Sequence, residues 1–542
     1  MPAAGWAAVA ETVYRNGEIL TIDEKNRWAS AVAIKKGRFI YVGTEQGVDA
    51  LIGESTHIVD LQGRMAMPGL HDAHQHLLKA QMRSLNCILP GVEESVLEDV
   101  LDALTNCPEE TRRGDWIVAD VYSGTQFPDD RAHRRYLDSL FPDTPVYIRE
   151  WSYHHGLANS EALRLAGIDE NTPEPDGGRI LRDEDGKPTG ELLAGATWLV
   201  TRVIPKLPDG KIREAIASSV RLSNQYGITS AQEASATKEL LAAVHALDLK
   251  GQWPLRLAAH LVWGNPASAE MSREEQERLL ESRGDYESAR VHTNFVKLYS
   301  DGSPLQPHAT DVNIDVDGNI DADRLYLSPT TLNEAVTRFD ADGIKVKIHA
   351  VGTGAIRVAL DAIAEARRRN GNSGIRHEIA HSLRFMDEDL SRVSRLDAVA
   401  EMSPAIWQIR GPLTQNLAGA WPFRSLLLKG TLITIGTDWV ILPEPNLFPA
   451  IAGMVRHGSE AISLNDALTA ATLNGAISVG WEDTTGSIEV GKSADMIVLD
   501  RKLFEIPVEE VAHTQVLMTM LEGKIVYEHP SFSVARTNAY LE

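Results

Sequence analysis

Met67-Pro68-Gly69-Leu70-His71-Asp72-Ala73-His74-Gln75-His76 is the stretch on which the fold turns. An apolar run leads directly into two histidines two residues apart. Alternate residues of a β-strand point to the same side. His74 and His76 at a strand end therefore offer two imidazoles to one metal ion. A His-x-His pair alone is weak, since many are ordinary polar surface. Here four more ligand-type residues follow, each near the end of its own β-like segment.

Those segments recur through the middle of the chain at Arg64–His71, Ile228–Gln232, Leu255–Leu261, Thr293–Tyr299, Ile344–Ile348, Ile375–Ile379, Ala398–Met402 and Leu432–Gly436. Helix-like stretches separate them, among them Lys211–Tyr226, Arg273–Arg283, Leu332–Ala341, Ala355–Arg369 and Leu464–Leu473. Such alternation implies a parallel sheet. Eight strands alternating with helices fit an α/β fold of the closed (β/α)8 TIM-barrel type better than an open sheet.

The two ends read differently. Thr12–Arg15, the turn Asn16-Gly17 and Glu18–Ile22 have hairpin texture, and Ala31–Ile34, Arg38–Val42 and His57–Asp60 continue it. Ala494–Asp500, Val516–Met520 and Gly523–Tyr527 repeat it at the far end. Residues 1–65 and 483–542 are expected to build one composite β-sandwich, with the barrel, 66–482, inserted between them. The roughly 150 residues between the first two barrel strands exceed any βα loop. They predict an inserted subdomain over about 81–208, hanging over the barrel mouth as a lid.

The 542 residues are too many for one ordinary domain. A net charge of −23 argues against nucleic acid or an anionic membrane surface as the main partner. Two cysteines, Cys87 and Cys107, are too few for a disulfide scaffold. Met1–Ala10 is apolar but lacks the basic n-region of a signal peptide, and no run reaches the ~20 apolar residues of a membrane span. A reduced, cytoplasmic setting is expected. A homodimer is left open.

Polar residues end most of the barrel strands. Strand one gives His74 and His76, strand two Glu233, strand four Lys297, strand five His349, strand six His381 and strand eight Asp438. Barrel enzymes place their chemistry at this C-terminal face. Imidazole and carboxylate suit zinc and similar divalent ions.

With these motifs in one order, the chain resembles the amidohydrolase superfamily, in particular the YtcJ-like branch that includes N-substituted formamide deformylase. The resemblance covers nearly the whole length. It rests on Gly43, the Pro68-Gly69-x-x-Asp72-x-His74-x-His76 run, and His154-His155-Gly156-Leu157-Ala158-Asn159-Ser160 followed by Ala162-Leu163. Further marks are Lys297 with Asp301-Gly302, His349-Ala350-Val351-Gly352, His381, Thr437-Asp438, and Gly486-Ser487 through Ala494-Asp495.

The resemblance implies a metal-dependent hydrolase cleaving the C–N bond of a small linear amide, an N-substituted formamide or N-acyl amine, by a metal-activated hydroxide. It implies two zinc ions per chain, with manganese, iron or cobalt as alternatives. His74 and His76 would hold the more buried ion, and His349 and His381 the second. Lys297, carbamylated by carbon dioxide, would bridge them. Asp438 would ligate the first ion, take the proton of the attacking hydroxide and pass it to the leaving nitrogen. The chain departs from the pattern at Ala380, where relatives usually carry Glu before the histidine. It also departs at His71, where an apolar residue is commoner, and at Glu233, where many branch members carry Asp.

Several residues keep two readings. Lys297 either bridges metals or pairs with an acid beside a mononuclear site. Glu233 either contacts the site or orients a ligand. Asp301 either touches substrate or metal, or only forms a turn. His154 and His155 either line the pocket or pack with Trp151 and Tyr153. Trp407, Trp421 and Trp439 lie near the expected mouth, with Trp439 the best pocket candidate because it follows Asp438. An esterase, lactonase or decarboxylase on the same centre, and a metal-free binding protein, remain as alternatives.

Overall fold

Leu70–Gln75 is the first of eight parallel strands in one sheet of the computed structural model. The structure describes residues 9–92, 95–305, 308–408, 417, 419–532 and 536–538, without the side chains of 407–408 and 536–538. The barrel strands are β1 (Leu70–Gln75), β2 (Ile228–Ala236), β3 (Arg256–Val262), β4 (Val291–Tyr299), β5 (Lys345–Ala350), β6 (Glu378–His381), β7 (Val399–Met402) and β8 (Leu432–Ile435). Each is hydrogen-bonded to the next in chain order.

The sheet is nearly closed where β8 returns to β1. Gln75 bridges Trp439 in parallel register. The Asp438 amide donates to the His74 carbonyl at 2.8 Å. Asp72 clasps the seam from inside. Its carboxylate accepts from the Thr437 hydroxyl at 2.6 Å, the Thr437 amide at 3.0 Å and the His74 amide at 3.1 Å. Gly436 lets the strands meet, since a Cβ there would lie 2.4 Å from the His74 nitrogen. Asp72→Ala would leave up to three buried donors unpaired, each worth roughly 1–3 kcal/mol. The variant is expected to lose about 3 kcal/mol or more in a denaturant titration. A loss well under about 1 kcal/mol would place the clasp elsewhere.

Two departures from the sequence expectation have clear causes. The segment 64–71 is not one strand. Met65–Pro68 pairs with Met496–Leu499 in a different sheet, and the barrel strand begins only at Leu70. Gly69 is the crossing point: its amide donates to the Asp495 carbonyl, and a Cβ there would strike Thr229. The expected helix 464–473 is two helices, Leu464–Ala470 and Leu473–Ser478, broken at Thr472, whose φ of −137° and ψ of −90° are not helical.

Strands from both ends share two further sheets. One holds Thr12–Arg15, Ala31–Lys35, Arg38–Gly43, His57–Asp60 and Arg536–Asn538. The other holds Glu18–Leu20, Trp28–Ala29, Met65–Pro68, Met496–Leu499, Val516–Leu521 and Lys524–Glu528. Tyr14, Val32 and Phe39 of the first pack with Ile19, Met496 and Met518 of the second in one apolar cluster.

Between β1 and β2 lies a six-stranded sheet ordered Gly178–Arg182, Pro188–Ala194, His155–Ala158, Val146–Glu150, Ile117–Tyr122, Cys87–Ile88. Cys87 and Cys107 are joined there as a disulfide, a pairing that the expectation of a reduced chain did not include.

Candidate metal centre

The barrel gathers six residues at one end of its axis. His74 and His76 stand at the close of β1, Lys297 near the end of β4, His349 on β5, His381 at the tip of β6 and Asp438 just past β8. The ligand atoms of His74, His76 and Asp438 lie within 4.8 Å of one another. Nε2 of His76 is 3.3 Å and Nε2 of His74 is 3.8 Å from Asp438 Oδ1. His381 Nδ1 is 4.0 Å from Asp438 Oδ2. The His349 ring lies edge-on to His381 at 4.4 Å and stacks on Tyr299 at 5.2 Å.

The donor set suits a divalent ion. Burial holds His74 and His381 far below the usual imidazole range and His349 at about 3. These rings are neutral, so each keeps a lone pair for a cation. Lys297 is 1% exposed and its Nζ has no hydrogen-bond partner. Burial, and then Lys347, pull its pKa down. A buried amine with nothing to bond is costly. A neutral amine is also the form that reacts with carbon dioxide.

Hydrogen bonds behind these side chains fix their directions. Glu401 Oε2 sits 2.6 Å from His74 Nδ1, which leaves Nε2 facing Asp438. The same oxygen accepts from the His381 amide at 3.3 Å. Glu401 thus bonds both the His74 ring and the His381 backbone, from β7, one of two strands that contribute none of the sequence-predicted site residues. At His381 this carboxylate meets the backbone amide rather than the ring. Ser403 adds its hydroxyl, 3.3 Å from His381 Nδ1 and from Glu401 Oε1. Glu401→Gln is expected to weaken metal affinity by about 10–100-fold, read by competition with a chelating dye. Unchanged affinity would show that Glu401 only fills space.

Glu233 lies behind His76. Its carboxylate is 3.6 Å from His76 Nδ1 and accepts from the Leu77 amide at 2.7 Å and the Ser235 amide at 2.9 Å. Asp301 organises a loop. It accepts from Val351, Gly352 and Val312 amides at 3.0, 2.8 and 3.1 Å, and sits 3.8 Å from His349 Nε2. Burial still raises its pKa to about 7 against those three bonds.

Below the ligands the barrel interior is polar rather than aliphatic. Glu378 pairs with Lys345 at 2.6 Å and with Lys347 at 2.9 Å. Lys347 also donates to the Ala73 carbonyl, next to His74 in the chain.

The cavity above the ligands is walled by both barrel and insertion. His74, His76, Lys297, His349, His381 and Asp438 form its floor. Arg149, Tyr153 and His154 come from the insertion, and Tyr326, Leu383 and Trp421 from barrel loops. The His154 ring is 5.3 Å from His349. His155 turns away: its nitrogens meet the His308 carbonyl at 3.0 Å and the Ala194 amide at 3.2 Å. Trp439 is not on the wall. It is 1% exposed, and its indole donates to the Pro443 carbonyl at 3.2 Å. Following Asp438 in the chain does not bring its side chain to the cavity, because the backbone at Asp438 turns through a left-handed φ of 48°. Trp421 lines the cavity instead, and its indole donates to the His381 carbonyl at 3.0 Å. The side chain of Trp407 lies outside the described residues.

Six of these wall and floor residues, Tyr153, Ala194, Glu270, His381, Trp421 and Asp438, have positive φ. Such strain in non-glycine residues concentrates at sites where a side chain must be aimed.

The family model for amidohydrolases matches residues 57–527. The chain belongs to the amidohydrolase family. It is 29% identical to the N-substituted formamide deformylase of Arthrobacter pascens, an alignment covering 95% of this chain and 97% of the relative. It is 25% identical to the putative amidohydrolase YtcJ of Bacillus subtilis, over 96% and 99% of the two chains. The crystal structure of an uncharacterised metal-dependent hydrolase from Pyrococcus horikoshii superposes with a TM-score of 0.68 at 22% identity, covering 92% of this amidohydrolase and 99% of that chain. Among the described residues no helix is long and apolar enough to cross a membrane.

Proposed function

We propose that this amidohydrolase cleaves the C–N bond of a small linear amide, an N-substituted formamide or N-acyl amine, with two zinc ions per chain. The observation that carries this reading is the convergence of the His74, His76 and Asp438 ligand atoms in one cavity with the bare amine of Lys297. The kinship with a formamide deformylase supports the choice of amide.

His74, His76 and Asp438 would hold one ion, and His349 and His381 the other. Lys297, carbamylated, would add an anionic oxygen donor to this set: its neutral Nζ adds to carbon dioxide, an N–C bond forms as one C=O π bond opens, and one proton leaves to solvent. When bound, the ions supply a water of lowered pKa and polarise the scissile carbonyl. Asp438 takes the proton from the attacking water and hands it to the leaving nitrogen, which would otherwise depart as a strongly basic anion. Glu401 and Glu233 keep the imidazoles aimed. The insertion, 81–208, acts as a lid that brings His154 over the reacting carbonyl. The composite unit of 1–65 and 483–542 is a separate domain from the barrel of 66–482.

A panel of formamides, acyl amides, ureas, esters and lactones, offered to zinc-loaded protein, tests the reading. Turnover of a formamide or acyl amide that a chelator abolishes and zinc restores is expected. Hydrolysis of esters or lactones with no amide cleaved would overturn it.

A further inference from the structure

Lys79 stands on the wall of the substrate cavity, three residues beyond His76, on the helix Leu77–Leu85. Its ammonium donates only to neutral oxygens, Ser235 Oγ at 3.2 Å and the Ser268 carbonyl at 3.3 Å. Ser235 Oγ is already shared with the Tyr299 hydroxyl at 2.9 Å. No described carboxylate lies within ion-pair distance of Lys79, although Glu270, Glu233 and Asp438 are near enough to act on its charge.

Two of those acids are engaged elsewhere, and the third, Glu270, forms no ion pair with Lys79. Glu233 holds two backbone amides and flanks His76. Asp438 faces the imidazoles. Glu270 is turned toward Arg149 at 3.9 Å, and Arg149 itself is paired with Asp120 at 3.0 Å. Arg149, the other cation on this part of the wall, is therefore already neutralised. Lys79 is not. Desolvation is the largest influence on it and lowers its pKa. A half-buried ammonium without a direct ion-pair partner gains most from an anion that enters with the substrate.

We infer that Lys79 binds a carboxylate carried by the substrate, so that the preferred amide is a monoanion. The inference rests on the amide-hydrolase reading above and deepens it. The carboxylate sits on either the amine arm, as in an N-acyl amino acid, or the acyl arm, as in the monoamide of a dicarboxylic acid.

Two matched pairs separate these sources in the zinc-loaded, full-length protein. N-formylphenylalanine against N-formylphenethylamine probes the amine arm. Succinanilic acid against N-phenylbutanamide probes the acyl arm. In at least one pair the acid is expected to exceed its neutral twin by about tenfold or more in kcat/KM, mostly through KM. Lys79→Met, matched for zinc content, is expected to collapse that ratio, and Lys79→Arg to restore most of it. Ratios near one in the unmodified protein, or a ratio that Lys79→Met leaves intact, would overturn the inference.

If no pair is hydrolysed, the broader panel above decides the amide reading, and calorimetric binding of the same pairs still decides the role of Lys79. Tighter binding of the acid that is lost in Lys79→Met supports it, and equal affinities refute it. Lys79→Gln serves the same comparison if the methionine variant does not fold.

Discussion

Asp438→Asn lowers kcat by about 10²–10⁴-fold, the range that a lost general acid–base group costs. The carboxylate sits at the seam between β8 and β1, with Oδ1 3.3 Å and 3.8 Å from the Nε2 atoms of His76 and His74. Asparagine keeps the shape but cannot accept the proton of an attacking water. Its backbone, with φ of 48°, lies in the region that asparagine tolerates best after glycine. The neighbouring clasp, Thr437 on Asp72, is untouched. The variant should therefore unfold at nearly the same temperature while its turnover collapses. A fall under about tenfold would remove Asp438 from proton transfer.

Lys297→Met is the second large effect. In the bridging account it removes the carbamate, so bound metal falls from two ions per chain toward one. Turnover then drops by about 100-fold or more. The same substitution should leave metal-free protein at least as stable as the parent. Lys297 is 1% exposed with an unpartnered amine, and a thioether of similar length fills that space without burying a polar group. A structural lysine would behave in the opposite way, with large destabilisation and unchanged metal content. Elemental analysis and thermal unfolding of one preparation separate the two.

The alternation of apolar strands with helical stretches made the barrel legible from the sequence. Seven of its strands lie close to where the pattern put them, and the first is displaced. It was displaced because Met65–Leu70 reads as one apolar run in the sequence, and only Gly69 divides the outer sheet from the barrel. The residues closing the strands were legible too, since a histidine, lysine or acid at the end of an apolar run has few other reasons to be there.

What escaped was whatever depends on partners far apart in the chain. Glu401 lies in Ala398-Val399-Ala400-Glu401-Met402, a charged residue inside an apolar strand. That was a usable signal, but its bond to His74 spans 327 residues. Lys345, Lys347 and Glu378 likewise form a buried triad only once β5 and β6 are adjacent. Trp439 was misjudged by proximity in sequence: it follows Asp438 directly, yet the left-handed backbone at Asp438 leaves its indole buried against the Pro443 carbonyl.

Metal content per chain, measured by elemental mass spectrometry on protein purified without chelator, tests the central claim most directly. Close to two zinc-like ions per chain, with amide hydrolysis that disappears on chelation, is the predicted result. No bound metal, and no activity when zinc is supplied, would contradict the account.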